Sequence, residues 1–229
     1  MEQQTVLTYL DAYCERAGDP SLWGEPLNAL TNLCFIVAAL LAGRQLLKTP
    51  PMFKVDLWLL VFFLFAIGVG SGAWHMVPTN HTVLMDVIPI TLFINAYLLS
   101  ALKRLLGLGW VKVGAWWGLY FVAGLLAQVI LPADLLNGTI MYVPTFLTLV
   151  VLTYAVHKRD AGQGRIFLKV LGVWALSLVF RTIDPLICEH FPYGTHFLWH
   201  ALNGWVLWRL LVLLIEHSVA THIRRHHPV

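Results

Sequence analysis

Charge is what this chain has least of. Only 12% of its 229 residues are charged while 59% are hydrophobic. A soluble domain is nearer a quarter charged and half apolar, so a water-soluble globular protein is excluded and an integral membrane protein expected. The net charge of +3 is too small to attract nucleic acid, and no partner of that kind is expected. No Gly-rich phosphate loop and no Cys-x-x-Cys pair occurs, which leaves out the P-loop nucleotide binders and the paired-thiol modules. The opening stretch MEQQTVLTYLDAYCERAGD is acidic and polar, so a cleavable signal peptide is not expected. There is no internal repeat and no composition break, and one domain over 1–229 is expected.

What is present is a series of apolar runs, each near the roughly 20 residues that span a bilayer as a helix. Seven can be marked, near Pro26–Leu47, Val55–His75, Val83–Leu102, Trp110–Leu131, Gly138–Val156, Ile166–Ile183 and His196–Glu216. Short connections favour antiparallel neighbours, hence an all-α bundle of seven transmembrane helices. Basic residues fall on alternate connections. Arg44, Lys48 and Lys54 flank the first, Lys103, Arg104 and Lys112 the third, and Lys158, Arg159, Arg165 and Lys169 the fifth. Arg224 and Arg225 lie in the tail, whereas Arg16 stands among Glu2, Asp11, Glu15, Asp19 and Glu25 on the other side. The positive-inside rule then predicts residues 1–25 as an external N-terminal segment and 217–229 as a cytoplasmic tail. A multi-pass protein of a bacterial inner membrane or a eukaryotic endomembrane is expected.

Ionisable groups inside such segments are costly and mark functional sites. His196 and His200 lie one turn apart at the start of the seventh segment, so both rings leave the same helix face. His75 ends the second segment, and Asp86 falls in the first turn of the third. With alternating topology all four sit at the same outer level, and Ser71 lies one turn deeper on the face of His75. Three neutral imidazoles suit a tetrahedral zinc with its fourth position open to water, whose pKa falls to about 7. Asp86 is the expected proton shuttle, and Ser71 the expected donor to an oxyanion. Both have plainer readings: Asp86 as a helix-start partner, and Ser71 as part of the small-residue run Gly68–Ala73 that suits close helix packing. Read together, the residues predict a metal-assisted acyl hydrolase acting on a membrane lipid.

These residues resemble the alkaline ceramidase family, within a superfamily of seven-helix membrane hydrolases that includes adiponectin-receptor-like proteins. Tyr13-Cys14-Glu15 is similar to the family's Trp-Cys-Glu, and the stretch from Glu25 through Asn28 to Asn32 to its Glu-x-x-Asn-Thr-x-Ser-Asn. Gly70-Ser71 through His75, then Asp86, resembles its Gly-Ser-x-x-x-His and Asp. Ile183-Asp184 through Cys188-Glu189, and His196 through Trp199-His200, resemble its Ile-Asp-x-x-x-Cys-Glu and His-x-x-Trp-His.

The resemblance implies zinc on His75, His196 and His200, with Asp86 and Ser71 catalytic and Trp199 and Tyr142 lining a substrate pocket. It implies hydrolysis of the N-acyl bond of a ceramide-like lipid to a sphingoid base and a fatty acid, with no obligate protein partner. Hydrolysis of another acyl lipid, or a receptor or structural protein with a structural zinc, are the alternatives. The resemblance also pairs Cys14 with Cys188, both on the predicted outer side, and Cys34 within the first segment is expected free. Some family members carry a calcium site in the N-terminal segment. Glu15 and Glu25 are kept here, but Ala12 and Ala17 stand where the family has Asp and Asn. Weak or absent calcium is therefore expected, with Asp11 or Asp19 as the residues that would compensate.

Overall fold

In lipid an apolar segment must satisfy its own backbone, and the helix does so within one segment. A computed structural model describes residues 10, 12–132 and 134–226, leaving Asp11 and the last three tail residues outside. Among the described residues there is no strand, and seven helical spans are long and apolar enough to cross a membrane. The first span comprises α1 (Pro26–Thr31) and α2 (Leu33–Leu47), followed by α3 (Val55–Met76), α4 (Asn80–Arg104) and α5 (Trp110–Ile130). Then come α6 (Val143–Arg159) after a 3-10 turn at Thr139–Tyr142, α7 (Ala161–Ile183) before a 3-10 turn at Asp184–Leu186, and α8 (His196–His226).

Burial orders the bundle. The α8 helix is the axis: its residues from Leu210 to Ile215 are all buried, and it packs on α2 and α7 and also meets α3 and α4. The α3 helix lies between α2 and α4. By contrast α5 buries only Val113 and stands at the edge between α4 and α6. One end of the bundle carries His75, Asp86 and His196. The other carries Arg44, Lys103, Arg104, Lys158 and Arg159, where Arg104 joins α4 to Asp56 of α3 at 2.6 Å.

Three of the boundaries that differ from the sequence expectation have a plain local reason. The α4 helix begins at Asn80 rather than Val83 because Thr79 and Thr82 form a capping box, so Asp86 lies in the second turn, not the first. The α7 helix begins at Ala161 rather than Ile166, because the Asp160 carboxylate accepts from the Gln163 amide at 3.0 Å and caps a polar first turn. The α8 helix does not stop at Glu216. It has 31 residues, roughly 46 Å at 1.5 Å per residue, against a hydrocarbon core of about 30 Å. The expected tail is therefore helical from 217 to 226.

Candidate metal centre

The three histidines come from two helix ends that face each other. His75 is in the last turn of α3, and His196 and His200 are in the first two turns of α8. All three are buried, and one ring atom from each lies within 4.8 Å of the others. Neighbouring groups set the tautomers. Glu25 Oε2, an acceptor only, takes the His75 Nδ1–H at 2.6 Å and leaves Nε2 with its lone pair. The Thr31 hydroxyl donates to the Leu27 carbonyl at 2.7 Å, so it accepts from His200 Nδ1 at 3.1 Å. His200 Nε2 then carries a lone pair, and it is buried with no hydrogen-bond partner, as is His196 Nδ1. Buried, unpartnered ring nitrogens are costly without a ligand. Neutral imidazoles whose second nitrogens are held by a carboxylate and a hydroxyl are the donor set zinc takes, so the residues fit the ion.

The start of α8 is held by a residue to which the sequence assigned no role. Asp184, fully buried, accepts from the amides of Thr195 at 2.6 Å, His196 at 2.9 Å and Cys14 at 3.2 Å. A carboxylate on orphan amides at a helix N-terminus is favourable by charge and by hydrogen bonding. Gly194 makes this possible. Its φ is +62°, and a Cβ there would fall on the Asp184 carboxylate and within 2.8 Å of Cys14 Cβ.

The N-terminal segment closes over the histidines. Cys14 and Cys188 are disulfide-bonded, and Cys34 is free. Tyr13 lies with its ring centroid 4.0 Å from that of His196 and 5.0 Å from that of His75. Arg16 is fully buried: Nε donates to Glu25 Oε1 at 2.6 Å, NH2 to the His75 carbonyl at 2.7 Å, and NH1 to the carbonyls of Asp19 and Ser21 at 2.8 and 3.0 Å. Burial pushes the Glu25 carboxyl up, but the hydrogen bonds it accepts from His75, Arg16 and Asn28 outweigh it and hold it below the usual range. Glu15 accepts from the amides of Leu27 and Asn28 at 2.7 and 2.8 Å and so caps α1. Its own partial burial pushes it up. Both expected calcium carboxylates are thus engaged otherwise, and a guanidinium holds four oxygens of the kind such a cation would need. Asp19 turns to the amide and hydroxyl of Ser21.

Ser71 and Asp86 meet where α3 and α4 touch. Pro89 has no amide to give the Met85 carbonyl one turn back, and Gly70 lies against that carbonyl. A Cβ on Gly70 would fall on the Met85 oxygen and within 3.2 Å of the Asp86 amide. Asp86 faces Ser71. Neither Ser71 Oγ nor Asp86 Oδ1, both buried, has a hydrogen-bond partner. Beside them is a cavity of about 480 Å³ bordered by α4 and α5, with Asp86, Gln128, Tyr142, Arg181, His196 and Trp199 in its lining. Trp199 stacks 5.2 Å from His196 at 15°, and Tyr142 lies 6.2 Å from Trp199. A second cavity of about 90 Å³ shares Tyr142 and Trp199 and runs between apolar side chains as far as Leu152 and Leu210.

Every residue expected at the zinc site thus lies at one end of the bundle. Tyr13, Arg16, Thr31, Asp184 and Arg181 join them. Of these, only Arg181 is an ionisable group inside an expected apolar segment, and its place at that segment's end is also where interfacial arginines stand. Compared with protein-family models, with curated proteins and with solved structures, the chain matched none.

Proposed function

We propose that this protein is a zinc-dependent lipid amidase that hydrolyses the N-acyl bond of ceramide-like lipids within the membrane, as the resemblance to alkaline ceramidases implies. One observation carries the reading. Three buried imidazoles with convergent ring nitrogens lie with Ser71 Oγ and Asp86 Oδ1, each without a hydrogen-bond partner, beside a cavity lined by Asp86 and His196. A structural zinc normally has four protein ligands, whereas among the described residues only these three His, Cys, Asp or Glu side chains converge.

Zinc held by His75, His196 and His200 supplies Lewis acidity, polarising a carbonyl and lowering the pKa of water. The residues divide the remaining work. The cavity of about 480 Å³ takes the acyl chain, and the apolar side chains around Tyr142 and Trp199 keep water from it. The Asp86 carboxylate removes a proton from the attacking water as the new C–O bond forms. It then delivers that proton to the amide nitrogen as the C–N bond breaks, releasing amine and carboxylate. Ser71 Oγ–H donates to the carbonyl oxygen as it gains charge. Glu25, through His75 Nδ1, keeps that ring oriented.

The basic residues gathered at the opposite end support an orientation with the site on the extracytoplasmic face. A bacterial inner membrane or a eukaryotic endomembrane fits this orientation. The test is His196→Ala, which should lose both zinc and fatty-acid release from ceramide in liposomes. A variant that retains wild-type hydrolysis would refute the reading.

A further inference from the structure

The cavity holds a cation for which the proposed chemistry has no use. Arg181, in the last turn of α7, lies with its guanidinium carbon 5.8 Å from the Tyr142 ring and 5.6 Å from the Trp199 ring. It donates a hydrogen bond to the Tyr13 phenol, and Asp86 lies within its field. Its Nε is buried without a hydrogen-bond partner. No ion pair joins Arg181 to any carboxylate among the described residues. Two aromatic faces attract the cation but give its Nε–H no acceptor. With no such ion pair, a donor of this guanidinium is left for a further acceptor in the cavity. A guanidinium fork of this kind fits a planar carboxylate with two parallel hydrogen bonds. The surroundings decide what the carboxylate is attached to. Arg181 and Trp199 line the same cavity, and Trp199 also lines the apolar channel that runs to Leu152 and Leu210. The room for a long hydrocarbon chain is the cavity of about 480 Å³ itself, whose wall includes Val83, Val87, Ile90 and Ile94.

We propose that Arg181 is a carboxylate-binding residue, and that its ligand is a long-chain fatty acid, the acid released by the hydrolysis proposed above. The inference rests on that reading for the identity of the ligand as product. Its geometry is independent of zinc. Arg181 gives the new carboxylate a partner beside His196 and holds the acid in the cavity until it leaves.

The test is direct binding of tritiated palmitate to the full chain in phosphatidylcholine nanodiscs, after chelator has removed metal so that no zinc–carboxylate bond contributes. Palmitate should bind the wild type and bind Arg181→Gln at least about tenfold more weakly, the scale of a lost charge-assisted hydrogen bond. Displacement of palmitate by hexadecanol, which has the chain without the charge, should be unchanged. Arg181→Lys keeps the charge without the fork and should fall between the two. If Arg181→Gln is not recovered folded, a Lys variant with wild-type palmitate affinity overturns the inference. Equal palmitate affinity in wild type and Arg181→Gln also overturns it, and leaves the amidase reading intact if ceramide is still hydrolysed. Arg181-dependent palmitate binding in a protein that cleaves no acyl lipid supports the binding site and defeats the amidase reading. N-palmitoylglycine is the control for source. If it alone shows the Arg181 dependence, the carboxylate belongs to a substrate head group and the product assignment fails.

Discussion

Glu25→Gln keeps the shape of a side chain that touches three donors and changes the chemistry of one end. Glu25 Oε1 accepts from Arg16 Nε at 2.6 Å, while Oε2 accepts from His75 Nδ1 at 2.6 Å and Asn28 Nδ2 at 3.0 Å. A glutamine has one oxygen to offer. If it faces His75, its amide N–H₂ meets the Arg16 N–H. If it faces Arg16, it meets the His75 N–H. Either way a buried donor loses its acceptor, at about 1–3 kcal/mol and more for the charged Arg16. His75 also loses the negative charge that makes its Nε2 a better donor. Changes at the partner of a metal-bound histidine lower metal affinity about 10- to 100-fold, so zinc affinity should fall on that scale. The assay is competition for zinc against a fluorescent chelator in detergent, with thermal melting run alongside. Arg16→Met is the control. It removes the cation but leaves the carboxylate for His75, so it should lower thermal stability more and zinc affinity less. Wild-type zinc affinity in Glu25→Gln would refute the idea that this carboxylate orients His75.

Other substitutions separate the remaining roles. Gly70→Ala puts a methyl group on the Met85 carbonyl and should cost about 1–3 kcal/mol in thermal unfolding. It should also lower kcat about 100-fold by displacing Asp86, and a wild-type kcat would contradict the contact. Asp86→Ala should keep zinc by metal analysis yet lose about 10²–10⁴ in ceramide hydrolysis rate, and an unchanged rate would remove it from the mechanism. Ser71→Ala should be milder and act on kcat more than KM, because its hydrogen bond strengthens only as the oxyanion forms. Without reductant, thiol alkylation should label Cys34 and neither Cys14 nor Cys188. Reduction should cost about 2–4 kcal/mol in stability by freeing the segment that carries Tyr13 and Arg16.

Much of the site is legible in the sequence because a bilayer makes depth readable. Seven apolar runs alternate in direction, so His75 at the end of one, Asp86 near the start of the next and His196 at the start of the last must share a level. Their side-chain periodicity does the rest, placing Ser71 beneath His75 and His200 beneath His196. What the sequence hides is anything set by chain crossing. Arg16 reads as a lone basic residue among acids, and only the docking of the N-terminal segment carries its guanidinium to the carbonyl of His75, 59 residues away. Asp184 reads as a motif residue without a task until the turn at Gly194 brings the amides of Thr195 and His196 onto it. Arg181 resembles the arginines that end many membrane helices at the interface. Its difference lies in the rings of Tyr142 and Trp199, which come from two other elements. The capping at Thr79 and Asp160 was missed for a simpler reason: a membrane segment read by apolarity alone ends where the apolar residues end, whereas a capped helix runs on into polar sequence.

The most direct measurement is ceramide hydrolysis by the purified chain in liposomes, before chelation, after chelation, and after stoichiometric zinc is returned. Equal amounts of sphingoid base and fatty acid should appear, vanish with the metal, and return with it. Zinc bound through His75, His196 and His200, with no release from ceramide or any other acyl lipid, would contradict the hydrolase and leave a metal that only holds the helices together.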